Sequence, residues 1–397
     1  MLDVFIAIFL GIFFGTITGL IPGIHVNLVS VILVGLSGFL LGFTSPIILA
    51  VFIVSMAVTH TFLDSIAAIY LGAPDPDVAL SVLPGHKLLL RGRGYEAVKL
   101  TIIGSLSSLV LAIILTYPLV LVIEKIYPIL QNYIAYLLII IIGFLTLREK
   151  KRFWAITLFI LSGVLGLGVS SLNIENSLLP LLSGLFGLSG LFLSVNNKVM
   201  IPKQIITSSK VGKVKSIKAV GSSVFAGGLV SFLPGVGSSE AAIIASEMVG
   251  DIGDKAFLVL VGGINTVNFV LSFVSLYVLD KARNGAIVAV TKILDGFTLN
   301  NFVLFIGVAL IAGSIATILA LIISRLFSNW IARIKYNILC LGVITFVILL
   351  VFVFSSWLGL LVLFVSTMLG LIPPLVGCGR NHMMGCLILP IILFFLL

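Results

Sequence analysis

Residues Gly19–Asn27 read GLIPGIHVN and residues Ser231–Glu240 read SFLPGVGSSE, each directly after an uncharged apolar stretch. The same Pro-Gly pair interrupts the chain twice in nearly the same setting, and each time small polar residues follow. Proline lacks the N–H that a helix interior needs, and glycine there costs about 1 kcal/mol relative to alanine. Two greasy helices are therefore predicted to break at Pro22-Gly23 and at Pro234-Gly235. Backbone freed from a helix inside a membrane is tolerated only where protein buries it or a watery cavity meets it.

The surrounding chain makes a membrane the relevant solvent. Of its 397 residues, 60% are hydrophobic and 9% charged, and the mean hydropathy is +1.32, far outside the range of soluble domains. A bilayer core of about 30 Å takes about 20 helical residues to cross, and apolar runs of that order recur. The expected fold class is an all-α polytopic membrane protein embedded in the lipid bilayer. Its runs lack the alternation of barrel strands. The opening MLDVFIAIFLGIFFG carries Asp3 and no basic segment, so it reads as a first span and not as a secretory signal.

The formal charge of +9 falls in short loops between apolar runs. That is a topology signal, and no nucleic-acid partner is expected. Cys340, Cys378 and Cys386 show neither a CxxC nor a zinc spacing and read as buried thiols without chemistry. No metal or other cofactor is expected. The sequence contains no GxSxG, HExxH or Walker pattern, so it is not expected to be an enzyme.

The two breaks belong to a longer internal match. Pro22-Gly23 corresponds to Pro234-Gly235, Tyr70 to Tyr277, Tyr133 to Tyr336 and Trp154 to Trp357, at offsets between 203 and 212 residues. The chain therefore divides into a first transmembrane repeat, 1–197, a basic linker, 198–218, and a second repeat, 219–397. The stretch Asn196–Lys218 holds six lysines and no acid, which places it in the cytoplasm. Arg148–Arg152, REKKR, falls on the same side two runs earlier. Counting runs puts EKIYPILQNY (124–133) outside but its match FSNWIARIKY (327–336) inside, and NIENS (173–177) outside but the segment around Arg380 inside. Equivalent loops face opposite sides, so the halves are expected to be inverted-topology repeats with the N-terminus outside the cell membrane. In transporters of that design the substrate sits at the midplane between the repeats, on helices broken by Gly or Pro.

A helix that restarts after each break exposes free N–H groups and the positive end of its dipole, which suits an anion. The candidate substrate-binding set is Pro22, Gly23, His25, Asn27, Pro234, Gly235, Ser238, Ser239, Asn265 and Asn268. Asn27, Ser238 and Ser239 are equally good helix caps. Ionisable groups in apolar runs usually face a cavity or a partner, so Glu240, His60, Asp64 and Asp75 are candidates for ion coupling. Each has a structural alternative: Glu240 as a capping-box acid, His60 with Asp64 as an (i, i+4) pair, Asp75 as a cap in a proline-broken turn. Arg380 and His382 belong either to a cytosolic loop or to a site for a lipid headgroup or anionic solute.

Four stretches carry a family likeness: GTITGLIPGIHVN from Gly15, YLGAPDPDVALSVLPGHKLLLRGRGYEAVKLT from Tyr70, FLPGVGSSEAA from Phe232 and GLIPPLVGCGRNHMMG from Gly370. With them the sequence resembles the large permease subunit of tripartite tricarboxylate transporters, in particular a shorter archaeal branch. The resemblance implies secondary uptake of carboxylate anions, with a small membrane subunit and an extracytoplasmic binding protein as partners. Ala73-Pro74-Asp75 stands where that family has a Thr-Pro-Gly-Asp turn, and Val270–Val288 lacks the matching Gly-Ile-Pro-Gly-Ser turn. The expected function is ion-coupled transport of a small organic anion by alternating access, with a homodimer as a further expected assembly. A carrier of polyprenyl-phosphate-type lipid is the alternative; such a site opens sideways and needs a buried Lys or Arg for phosphate.

Overall fold

The computed structural model describes all residues except 1, 22–25, 72–81, 173, 175–176, 197–201, 207–210, 233–236, 251, 283 and 332–335. The described chain is helical, without a strand. In order it forms α1 (Leu2–Leu20), α2 (Val26–Gly35), α3 (Ser37–Leu40), α4 (Pro46–Leu71), α5 (Val82–Leu89), α6 (Gly94–Leu130), α7 (Ile134–Arg148), α8 (Arg152–Ser171), α9 (Leu178–Leu182) and α10 (Ser189–Asn196). After the linker come α11 (Lys213–Phe232), α12 (Ser238–Val249), α13 (Gly253–Leu279), α14 (Gly285–Ile293), α15 (Leu299–Ile331), α16 (Tyr336–Val376) and α17 (Gly385–Leu396). Seven of these helices are long and apolar enough to cross a membrane. The protein is a multi-pass membrane protein.

Local sequence explains where several helices begin and end. Pro46 opens α4, where a missing N–H costs nothing. Asn284 caps α14 by accepting from Ala286 N at 2.9 Å. Asp280 closes α13 in the left-handed region at φ 51°. Ser356, at φ 59°, divides α16 into two arms. The segment Phe327–Ile331, read from sequence as part of a connection, is the last turn of α15, because no proline or glycine interrupts the helix there.

Two helices form the centre. Nearly every residue of α4 from Leu49 onward is buried, and so is most of α13. Other spans instead show wide apolar faces, with Phe5, Phe9 and Phe13 exposed on α1, Tyr117 on α6 and Trp330 on α15. Such faces suit lipid, which is as apolar as they are.

Side-chain contacts fix the helix directions. Ser65 on α4 accepts from Thr101 on α6 at 3.0 Å, and Tyr70 lies beside Gly94. Residue numbers rise on one helix as they fall on the other, so α4 and α6 are antiparallel. Glu96 pairs with Lys255 and Tyr127 with Lys281, so α6 and α13 are parallel. Phe62 lies beside Gly313 and Tyr70 bonds Ser324 and Ser328, so α4 and α15 are parallel. Thus α4 and α15 point one way while α6 and α13 point the other. The α6–α13 contact is close because both helices present glycine. A Cβ on Gly104 would overlap the Val259 carbonyl, and one on Gly262 would overlap that of Thr101.

The end where α4 finishes and α13 begins is basic. Fully buried Glu96 is held there by Arg93 at 2.6 Å and Lys255 at 2.7 Å, and Lys87 pairs with Asp254 at 2.6 Å. A buried carboxylate survives only with such pairing. The linker is fastened to this end: Gln204 accepts from Gly94 N and donates to the Leu89 carbonyl, while Ile205 N donates to Gly92 O at 2.7 Å.

Candidate functional site

The first helix lies along α4 in the same direction, with Ser55 donating to Ile8 O at 2.8 Å and His60 Nδ1 3.1 Å from Thr18 Oγ1. Since α1 and α4 point the same way, α2 and α3 carry the chain back between them. The last turn of α1 reaches only to His60 and Leu63, near the middle of α4. In the same manner Ser223 and Gly227 of α11 lie against Gly263 and Val267 of α13, again in parallel, and α12 returns the chain. Ser238, the first residue of α12, is buried and its Oγ accepts from Asn268 Nδ2 at 3.3 Å, near the middle of α13. The second break thus falls between antiparallel α11 and α12, a helical hairpin laid against α13, whereas the first falls between α1, which lies along α4, and α2, which packs mainly against α14.

The central spans touch each other at the same level. Asn265 Nδ2 donates to Asp64 Oδ2 at 2.5 Å, and Thr61 Oγ1 lies 3.3 Å from Thr266 Oγ1. Asp64, Asn265 and both threonines are buried. Thr59 Oγ1, on the residue preceding His60, is buried without a hydrogen-bond partner. A cluster of hydroxyls, amides, an imidazole and a carboxylate therefore occupies the heart of a greasy protein. Such groups are costly in a bilayer and persist where they bind something or pair with each other.

Of the residues singled out in the sequence, His60, Asp64, Asn265, Asn268 and Ser238 converge on this level. The helical partners of His60 and Asp64 just named lie on α1 and α13, so each is tied across helices. Pro22, Gly23, His25, Pro234, Gly235 and Asp75 lie outside the described residues. Asn27 is in α2, and Ser239 and Glu240 are in the first turn of α12, but their side chains are also outside the described set. Sequence reading missed Thr18, Thr61 and Thr266, whose hydroxyls are ordinary in apolar helices and gain meaning only from their neighbours. At the basic end, His86 on α5 is half-buried with Nδ1 3.4 Å from Ile69 O. Burial holds its imidazole below the ordinary value, and the Ile69 carbonyl opposes the shift.

A family model described as "Tripartite tricarboxylate transporter TctA family" matches residues 5–385. The chain is 30% identical over 358 residues to "Uncharacterized protein MJ1079" of Methanocaldococcus jannaschii, covering 87% of this chain and 88% of that one. No solved structure matches it significantly. The family match covers almost every helix, including those flanking both breaks and the two central spans. This chain is a membrane transport protein that belongs to the tripartite tricarboxylate transporter TctA family.

Proposed function

We propose that the chain is the permease of a secondary active transporter for a small organic anion, a carboxylate, driven by H+ or Na+ across the cell membrane. One observation carries this reading: α1 and α11 each run along a central span and end near its middle, just before a Pro-Gly pair and where Asp64 and Asn265 join the two spans. Helix starts and side-chain amides supply donors for a carboxylate, and Asp64 supplies a negative charge for a coupling cation. Accordingly, Pro22, Gly23, His25, Asn27, Pro234, Gly235, Ser238, Ser239, Asn265 and Asn268 are assigned to substrate, and Glu240, His60, Asp64 and Asp75 to coupling.

The halves 1–197 and 219–397, joined by the linker 198–218, work as inverted repeats that expose this site to each side in turn. Matched lengths support the division: α1 and α11 have 19 and 20 residues, α4 and α13 have 26 and 27, and α5 and α14 have 8 and 9. The opposed directions of α4 and α13, and of α6 and α15, support the inversion. The basic end is then cytoplasmic by the positive-inside rule, and the N-terminus is external. Membership of a tripartite family implies partner subunits, here a small membrane subunit and an extracytoplasmic binding protein.

A thermal-shift screen of the purified protein tests the substrate class. A ligand at one hundred times its Kd stabilises the folded state by about 2.7 kcal/mol, so a di- or tricarboxylate, with Na+ or at acidic pH, is expected to raise Tm. A rise with polyprenyl phosphate and none with any carboxylate would replace this reading by lipid transport. Coupling is tested separately in sealed vesicles. Glu240→Gln is expected to abolish ion-dependent accumulation while changing stability by under about 1 kcal/mol, because glutamine can still cap the helix. Normal accumulation by that variant leaves Glu240 as a cap only.

A further inference from the structure

A second polar cluster lies away from the central spans, where the α7–α8 turn meets the connection between α16 and α17. Glu149 comes from that turn, and Cys378 and His382 come from the connection, more than two hundred residues later. A carboxylate oxygen, a thiol sulfur and an imidazole nitrogen all lie within 4.8 Å of one another. His382 Nε2 faces Glu149 Oε2 at 3.6 Å, beyond a hydrogen bond. That nitrogen is buried without a hydrogen-bond partner, on a side chain only 2% exposed. A buried polar nitrogen whose nearest polar neighbour stays beyond hydrogen-bond reach costs about 1–3 kcal/mol, which a ligand bound between the two groups would recover.

We propose that Glu149, Cys378 and His382 form a binding site for a zinc-class divalent cation. One sulfur, one nitrogen and one oxygen donor suit a borderline-soft ion and not Mg2+ or Ca2+, which take oxygen ligands. Bonds of about 2.0–2.3 Å in a tetrahedron set donor atoms about 3.3–3.8 Å apart. Glu149 and His382 already meet that spacing at 3.6 Å, and the Cys378 sulfur lies within 4.8 Å of both.

The surroundings hold the ligands in place. Gly379 N donates to Glu149 Oε2 at 3.1 Å, Lys150 N donates to its Oε1 at 3.0 Å, and Ser162 Oγ holds the His382 carbonyl at 3.2 Å. Outer-shell bonds of this kind orient first ligands. Lys151 also donates to Val376 O at 2.6 Å, so the two segments are already neighbours before a cation arrives. The Glu149 side chain is 20% exposed, which leaves a route in from the basic end. Binding displaces the Cys378 proton, and water fills the fourth position. The cation staples the α7–α8 turn to the α16–α17 connection.

The test uses tag-free full-length protein in detergent. After dialysis against micromolar Zn2+, elemental analysis is expected to find one zinc per chain, and Zn2+ but not Mg2+ to raise Tm. Co2+ should give the near-ultraviolet absorption of a cobalt–thiolate bond. Cys378→Ser should remove that band and weaken Zn2+ binding at least tenfold, whereas Cys340→Ser and Cys386→Ser should leave both unchanged. Glu149→Gln should weaken binding at least tenfold with the thiolate band of the residual complex intact. Absence of bound zinc in the wild type, or a Cys378→Ser protein that binds Zn2+ as tightly as wild type, overturns the proposal.

Discussion

Gly104→Leu is expected to yield no folded protein. The glycine sits on α6 where its backbone meets the Val259 carbonyl of α13, and any Cβ there overlaps that oxygen. The obstacle is backbone, so no rotamer change relieves it, and α13 cannot retreat because α4 and α11 pack on its other sides. Over-packing a core costs about 1–3 kcal/mol when side chains can adjust and more when helices must separate. Separation would also strip Glu96 from Lys255, leaving a buried carboxylate short of a cation at a cost of about 3–5 kcal/mol. Together these approach the whole stability of an ordinary domain. The measurement is the monodisperse fraction of detergent-extracted protein on size exclusion. Gly143→Leu serves as control, since nothing lies within 4 Å of a Cβ at Gly143. A monodisperse, wild-type-like Gly104→Leu protein would show that α6 and α13 do not meet this closely.

Breaking the tie between the central spans is expected to abolish transport. Asn265→Leu keeps the side chain's branching, with two methyl groups in place of the amide oxygen and nitrogen, and removes the Nδ2 donor that lies 2.5 Å from Asp64 Oδ2. A buried carboxylate deprived of a hydrogen bond costs about 1–3 kcal/mol, so Tm falls measurably while the protein still folds. Uptake in vesicles should drop at least tenfold, because the change alters the group proposed to hold the coupling ion. Exchanging the pair, Asp64→Asn with Asn265→Asp, restores a donor and an acceptor across the same gap and should recover most of the lost Tm. If the exchanged protein is as unstable as Asn265→Leu, the two side chains do not act as partners. If Asn265→Leu transports at the wild-type rate, the site proposed at the α4–α13 contact is wrong.

Much of the architecture was readable in residues 15–27 and 227–240. Proline and glycine punctuate a helix through their own backbone chemistry, so the two breaks announce themselves locally. Likewise the basic runs at Arg148–Arg152 and Asn196–Lys218 report an electrostatic preference that needs no tertiary contact. Gly104 and Gly262 gave no such signal, since a glycine in an apolar helix looks only like a weak helix former until another backbone is found against it. Glu149 lies in a basic run that reads as a topology signal, and the Cys378–His382 spacing lacks a third ligand until the turn after α7 arrives beside it.

By itself, then, the sequence determined the class of solvent, the helix breaks, the two-part internal match and the family likeness, because each depends on residue chemistry or on spacing along the chain. Only the tertiary structure decided that Asp64 meets Asn265, that Thr18 meets His60 and that a cysteine and a histidine meet a glutamate. Those meetings join residues tens to hundreds of positions apart, and they are set by which helix faces fit together, a property of packed shapes that no local pattern encodes.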